Sequence, residues 1–142
     1  MSVPVSLSRP GGAERTSPAH RLLTGLALDL AARESLWQPA VRFDEQQRVV
    51  TRLPGPPGVE VWLSTWLPGQ ASDLHDHGST AAALAVVRGT LVESALDEHE
   101  RPVELHLGTG CVAALEPGAR HSVRNDGPQP AVSIHVRTST GG

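Results

Sequence analysis

From about residue 48 onward the chain breaks into short apolar runs separated by turn-forming residues, and this spacing limits the fold more than any other feature. The runs fall at 48–53, 60–67, 82–87, 90–96, 103–107, 111–115, 121–125 and 131–137, and are rich in Val, Leu, Thr and Trp. They are too short for ordinary helices, and β-branched and aromatic residues favour an extended backbone. Between them stand Pro54-Gly55-Pro56-Pro57-Gly58, Pro68-Gly69, Glu116-Pro117-Gly118 and Asn125-Asp126-Gly127, all good turn formers. About eight short strands in succession predict an all-β domain closed as a compact barrel or jelly roll. Ahead of them, 20–36 reads as an amphipathic helix, with Leu22, Leu23, Leu26, Leu30 and Ala31 near helical spacing. Ser17 is its candidate N-cap and Pro18 its first residue, and Pro39 marks the latest point at which it can stop. Residues 1–17, rich in Ser, Pro and Gly, are expected to be a flexible lead-in, and 18–142 a single domain.

Composition narrows the function. A net charge of −3 with no basic run argues against nucleic acid as a partner. The single cysteine, Cys111, cannot form an intrachain disulfide and fits a reducing cytoplasm; in its strand it reads as a small buried hydrophobe. Apolar stretches such as 81–87 are far too short to span a bilayer, and the N-terminus lacks the pattern of a signal peptide. No membrane role is expected. Oligomeric state stays open between monomer and dimer. Seven histidines against no tyrosine and one phenylalanine is the odd feature, and it carries meaning only where histidines converge.

They do so at Leu74-His75-Asp76-His77-Gly78. In an extended segment, residues two apart face the same way, so His75 and His77 can reach one ion together. Neutral imidazole suits iron, zinc, copper or nickel. Gly69 precedes His75 with five residues between them, Gly89 closes the next run, and Pro117-Gly118-Ala119-Arg120-His121-Ser122-Val123-Arg124-Asn125 follows. Residues 69–125 thus resemble the two motifs of the cupin superfamily, in which HxH lies beside a later histidine followed by xxxN. That resemblance implies a cupin-type β-barrel and makes His121 the third ligand. His20, His99 and His106 sit near the helix start, in a charged turn and in mid-strand, and are not expected to ligate.

Two further stretches narrow the family. Val61-Trp62-Leu63-Ser64-Thr65-Trp66-Leu67-Pro68-Gly69-Gln70, running into the HxH, is similar to bacterial members of the cysteine dioxygenase (thiol dioxygenase) family. So is His121-Ser122-Val123-Arg124-Asn125 followed by Ala131-Val132-Ser133-Ile134-His135-Val136. The similarity extends from about Phe43 onward. Most cupins carry a glutamate ligand a few residues after HxH; here that place is Ala82, as in thiol dioxygenases, which bind iron with three histidines. The resemblance implies Fe(II), with O2 as co-substrate, a small thiol carboxylate as substrate and a sulfinic acid as product. It implies an arginine for the substrate carboxylate, for which Arg52 aligns best and Arg48, on the same strand face, stands in reserve. A planar guanidinium donates two parallel hydrogen bonds to a carboxylate. Trp62 and Trp66 share a strand face and read as core or pocket wall.

Alternation along 131–137 sets Val132, Ile134 and Val136 on one face and Ser133, His135 and Arg137 on the other. In the family this second face reads Ser-His-Tyr, a relay ending near the iron. Ser133 and His135 match, whereas Arg137 stands where the tyrosine is expected. Arg137 either reaches the pocket, where it would bind a second anionic group, or turns to solvent. Two rival functions follow from that departure. One is a three-histidine cupin enzyme holding zinc, nickel or manganese and acting on a non-thiol substrate; the other is a non-catalytic ligand-binding cupin.

Overall fold

Period-two alternation builds two sheets with a core on either side of the larger one. The structure is a computed structural model that describes residues 6–7, 18–73, 80–96, 99–115 and 120–139. Its strands are β1 (Ser6–Leu7), β2 (Val50–Leu53), β3 (Val59–Trp66), β4 (Ala82–Arg88), β5 (Leu91–Leu96), β6 (Pro102–Leu107), β7 (Val112–Leu115), β8 (His121–Arg124) and β9 (Ala131–Thr138). A six-stranded sheet runs β1-β7-β4-β9-β3-β2, and a three-stranded sheet runs β6-β5-β8. Every expected run is a strand, its ends displaced by no more than two residues. β1 was not expected; it pairs in parallel with β7, Ser6 beside Val112. The fold is an all-β jelly-roll barrel with a short helical segment before it.

Central strand β9 shows how sequence becomes layers. Val132, Ile134 and Val136 are fully buried against the helical side, packed with Leu23, Ala27 and Leu30. Those three lie one helical turn apart, on one face of α1 (Pro18–Ala31). Ser133, His135 and Arg137 face the other way, between the sheets, where Trp66, Leu84, Leu91, Leu115 and Val123 form a second cluster. Each fully buried Leu or Ile stabilises by about 1.5–3 kcal/mol.

The helix differs from expectation. It stops at Ala31, and a short α2 (Glu34–Trp37) and a 3-10 turn (Gln38–Ala40) follow. The cause is Trp37, which is buried and folds back so that its indole Nε1 donates to the Ala31 carbonyl at 3.1 Å. That bond satisfies one of the carbonyls a helix end leaves open. Leu22, counted in the apolar stripe, points to solvent with 75% of its surface exposed. Ser17 lies outside the described residues.

Two motif residues have structural duties. Gly89 turns β4 into β5 at φ +76°, and a Cβ there would stand 2.6 Å from the Pro130 carbonyl oxygen, so no other residue fits without displacement. Asn125 is wholly buried; its Nδ2 donates to the Trp66 and Gln129 carbonyls at 2.8 and 2.9 Å, and its Oδ1 accepts from Gly127 N at 2.9 Å. It thereby ties the end of β8 to the end of β3. Among the described residues no helix is long and apolar enough to cross a membrane.

Candidate active site

The inner faces of β3, β4, β8 and β9 enclose a cavity of about 260 Å³. Arg48, Trp62, Trp66, Ala82, His121, His135 and Arg137 are on its wall. This one space therefore brings together His121 of β8, His135 and Arg137 of β9, and Trp62 and Trp66 of β3. His75 and His77 lie outside the described residues. Among the described residues no group of three His, Cys, Asp or Glu side chains is arranged to hold a metal. The chain approaches that segment along β8: Gly69 N donates to Asn125 O, Asn125 N to Gln70 O and Ser72 N to Val123 O. On the far side Ala82 returns to the cavity wall, opposite Arg137 of β9.

His121 is 1% exposed, and its Nδ1 lies 3.2 Å from Oε2 of Glu93, itself 1% exposed. The contact meets the distance of an ion pair and not the geometry of a hydrogen bond. Register explains it. His121 faces Ala95 and Val123 faces Glu93, so His121 and Glu93 are diagonal neighbours on one face of the three-stranded sheet. Sequence reasoning missed Glu93. The signal was present: Glu93 is in phase with Leu91 and Ala95, so it must point inward with them.

The two candidate arginines are placed differently, Arg52 within β2 and Arg48 two residues before it. Arg48 is half-buried, lines the cavity and lies 4.8 Å from the centroid of the Trp66 ring. Burial lowers its pKa from the usual arginine value, and the Asp73 carboxylate acts in the opposite direction. Arg52 is exposed and sits over Trp62 instead, 5.1 Å from its centroid, away from the cavity wall. Pairing shows why. Arg52 is opposite Trp62 and Val50 opposite Ser64, so Arg48 falls toward the Trp66 end of β3, where the strand is fully buried.

On β9, Ser133 is buried and its Oγ accepts from Trp66 Nε1 at 2.9 Å, which fixes the indole that underlies Arg48. His135 is half-buried on the wall, between Trp62 of β3 and Leu84 of β4. Arg137 combines the two placements open to it: it lines the cavity, yet its side chain is 40% exposed at the mouth. There Glu60 Oε1 accepts from Arg137 Nε and Nη2 at 3.0 and 2.9 Å and from Trp62 Nε1 at 3.2 Å. Cys111 is half-buried beside the inner cluster, while His99 and His106 are exposed.

The family model of cysteine dioxygenase type I matches residues 25–138, a span that includes all of these cavity residues. The chain belongs to the cysteine dioxygenase type I family. Solved structures agree on the fold. TT1209 from Thermus thermophilus is 25% identical, with a TM-score of 0.63 over 71% of this chain and 91% of that one. An uncharacterised Klebsiella pneumoniae protein with a double-stranded β-helix domain is 21% identical, with a TM-score of 0.64 over 73% and 87%. The cupin domain of Schizosaccharomyces pombe Cnp3 is 12% identical, with a TM-score of 0.60 over 72% and 71%. No protein of curated function matches the chain.

Arg137, at the position where the resemblance leads one to expect a tyrosine, is paired with Glu60. The cation that replaces the expected tyrosine already has an anion beside it. Arg137's hydrogen bonds, with Trp62's next, hold the Glu60 carboxyl below the usual carboxylate range. A carboxyl whose folded pKa is depressed adds stability above its unfolded value, near about pH 4.3, and that gain is lost as pH falls through the lower folded value. Glu60→Gln is therefore expected to melt slightly earlier than the parent at pH 7, with the gap closing as the pH drops below about 4. A gap that stays constant across melting curves from pH 7 to pH 3 would assign the loss to packing instead.

Proposed function

We propose that this protein is an Fe(II)-dependent thiol dioxygenase that converts cysteine or a related small thiol carboxylate to its sulfinic acid. The observation that carries the reading is the convergence of buried His121 and half-buried Arg48 on one small cavity. A volume of about 260 Å³ is small beside sites for drug-sized ligands and suits a substrate of a few heavy atoms.

The donor chemistry fits a divalent ion. His121 is an imidazole on the cavity wall with a carboxylate at Nδ1, the arrangement usual for a metal-bound histidine. His75 and His77 are proposed to complete the set. Ser72 and Ala82, on either side of their segment, are on the cavity wall, which supports that assignment. Iron, when bound, supplies the redox chemistry between thiol and O2. Both oxygen atoms of O2 end on sulfur, which loses four electrons as O2 gains four, so no external reductant is needed.

The chain's own residues bind, orient and exclude water. Arg48 takes the substrate carboxylate in place of the exposed Arg52, because a half-desolvated guanidinium interacts with an anion more strongly than one in bulk water. Trp66, held by Ser133, fixes the guanidinium from below through its ring face. His135 polarises the inner wall, and Arg137, held by Glu60, bounds the mouth.

Anaerobic loading with Fe(II), followed by oxygen-electrode assays with L-cysteine, 3-mercaptopropionate and mercaptosuccinate, tests the proposal. The expected result is uptake with at least one of them and one sulfinate formed per O2. One bound iron per chain with no thiol-dependent uptake would transfer the site to a non-thiol reaction or to ligand binding alone.

A further inference from the structure

We infer that Glu93 is a positioning residue for the metal centre: its carboxylate sets the tautomer and raises the donor strength of His121. The inference rests on the proposed ligand role of His121 and goes beyond it, to a residue outside the cupin motifs. A glutamate 1% exposed inside an apolar barrel is costly unless something opposite compensates it. Its neighbours on the inner face of β5 are Leu91 and Ala95, and Val123 lies directly across, so packing alone would select an apolar side chain here. The glutamate reaches the Nδ1 of His121, at 3.2 Å. A carboxylate at Nδ1 favours the tautomer with the proton on Nδ1, which puts the lone pair on Nε2 and increases its basicity.

The position of the negative charge gives this arrangement a purpose. The glutamate that binds metal directly in most cupins is replaced by Ala82, which offers only a methyl group to the cavity. Three neutral imidazoles would leave the charge of a divalent ion uncompensated in a partly desolvated site. Glu93 supplies a carboxylate one imidazole away. It stabilises the cation without occupying a coordination position, so the positions for substrate and O2 stay open.

The test is anaerobic titration of the full-length apoprotein with Co(II), followed by its d–d absorption, in the parent, Glu93→Leu and Glu93→Gln. Loss of an outer carboxylate partner typically weakens metal binding by about 10–100-fold, and that is the expected change in Glu93→Leu. Glu93→Gln keeps an acceptor oxygen but not the charge, and is expected to weaken binding at least about threefold and to shift the d–d bands. The melting temperature of each apo variant is read alongside, so that a loss of folding is separated from a loss of affinity. Co(II) affinity within twofold of the parent in folded Glu93→Leu overturns the inference, as does a lowered apo melting temperature with unchanged affinity. Should Glu93→Leu fail to fold, Glu93→Gln decides by the same twofold limit. A parent that binds no Co(II) would instead overturn the metal reading itself, and this inference with it.

Discussion

His121→Ala is expected to lose thiol-dependent O2 uptake by more than about 100-fold, exceeding the cost of removing a partner that only supports a ligand. His121 has no surface role that could soften the effect, being 1% exposed on the wall of the cavity. Removing its ring also takes an ion-pair contact from the buried Glu93 carboxyl, and breaking a buried pair from one side destabilises a fold by up to about 3–5 kcal/mol. Activity and stability should fall together, so iron stoichiometry must be measured on the fraction that remains folded. His121→Ala with Glu93→Gln separates the two effects. The double variant should recover much of the melting temperature while binding well under one iron per chain. Uptake within threefold of the parent, with one iron retained, would remove His121 from the ligand set and leave the proposed chemistry without its described anchor.

What could be read from the sequence, and what could not, divides along a physical line. Strand positions were legible because alternation and turn chemistry are local: Pro68-Gly69 and Asn125-Asp126-Gly127 end runs wherever the chain goes afterward. The membership of each face was legible for the same reason. The opposition of Val132, Ile134 and Val136 to Ser133, His135 and Arg137 needs only a period of two. Depth along a face was not legible. In the sequence pattern Arg48 and Arg52 share a face, separated by about 13 Å at the rise of an extended strand, and only closure of the barrel decides which of them is covered. The break after Ala31 depends on Trp37 folding back across six residues, a tertiary contact that overrides a continuous helical pattern. Glu93 is a third kind of case. Its inward phase was in the sequence, but its significance appears only when β5 and β8 pair with His121 on the diagonal. The departure at Arg137 was visible at once, whereas its consequence waited on Glu60, 77 residues away in the chain.

The choice between the two arginines yields the second large effect. Arg48→Met keeps the stem that packs on Trp66 and removes the guanidinium. Truncating one partner of a desolvated charge pair costs about 2–5 kcal/mol. The half-buried setting of Arg48 places it toward the lower end, or about a 30–150-fold loss in kcat/KM at 1.4 kcal/mol per decade. The loss should appear mainly in KM if the carboxylate is held equally in ground and transition states. Cysteamine, a thiol without a carboxylate, gives the decisive contrast: its slower turnover should be unchanged or improved in Arg48→Met, because no anion is there to be held. Arg52→Met, exposed and stacked on Trp62, is expected to change kcat/KM by less than about threefold, as exposed charges in water contribute little. The reverse result, a large loss in Arg52→Met and little in Arg48→Met, would mean that the substrate reaches out past Trp62 to the rim. It would also move the carboxylate site to the Arg52, Glu60 and Arg137 cluster at the mouth. The two variants thus locate the anion beside Arg48 or beside Arg52.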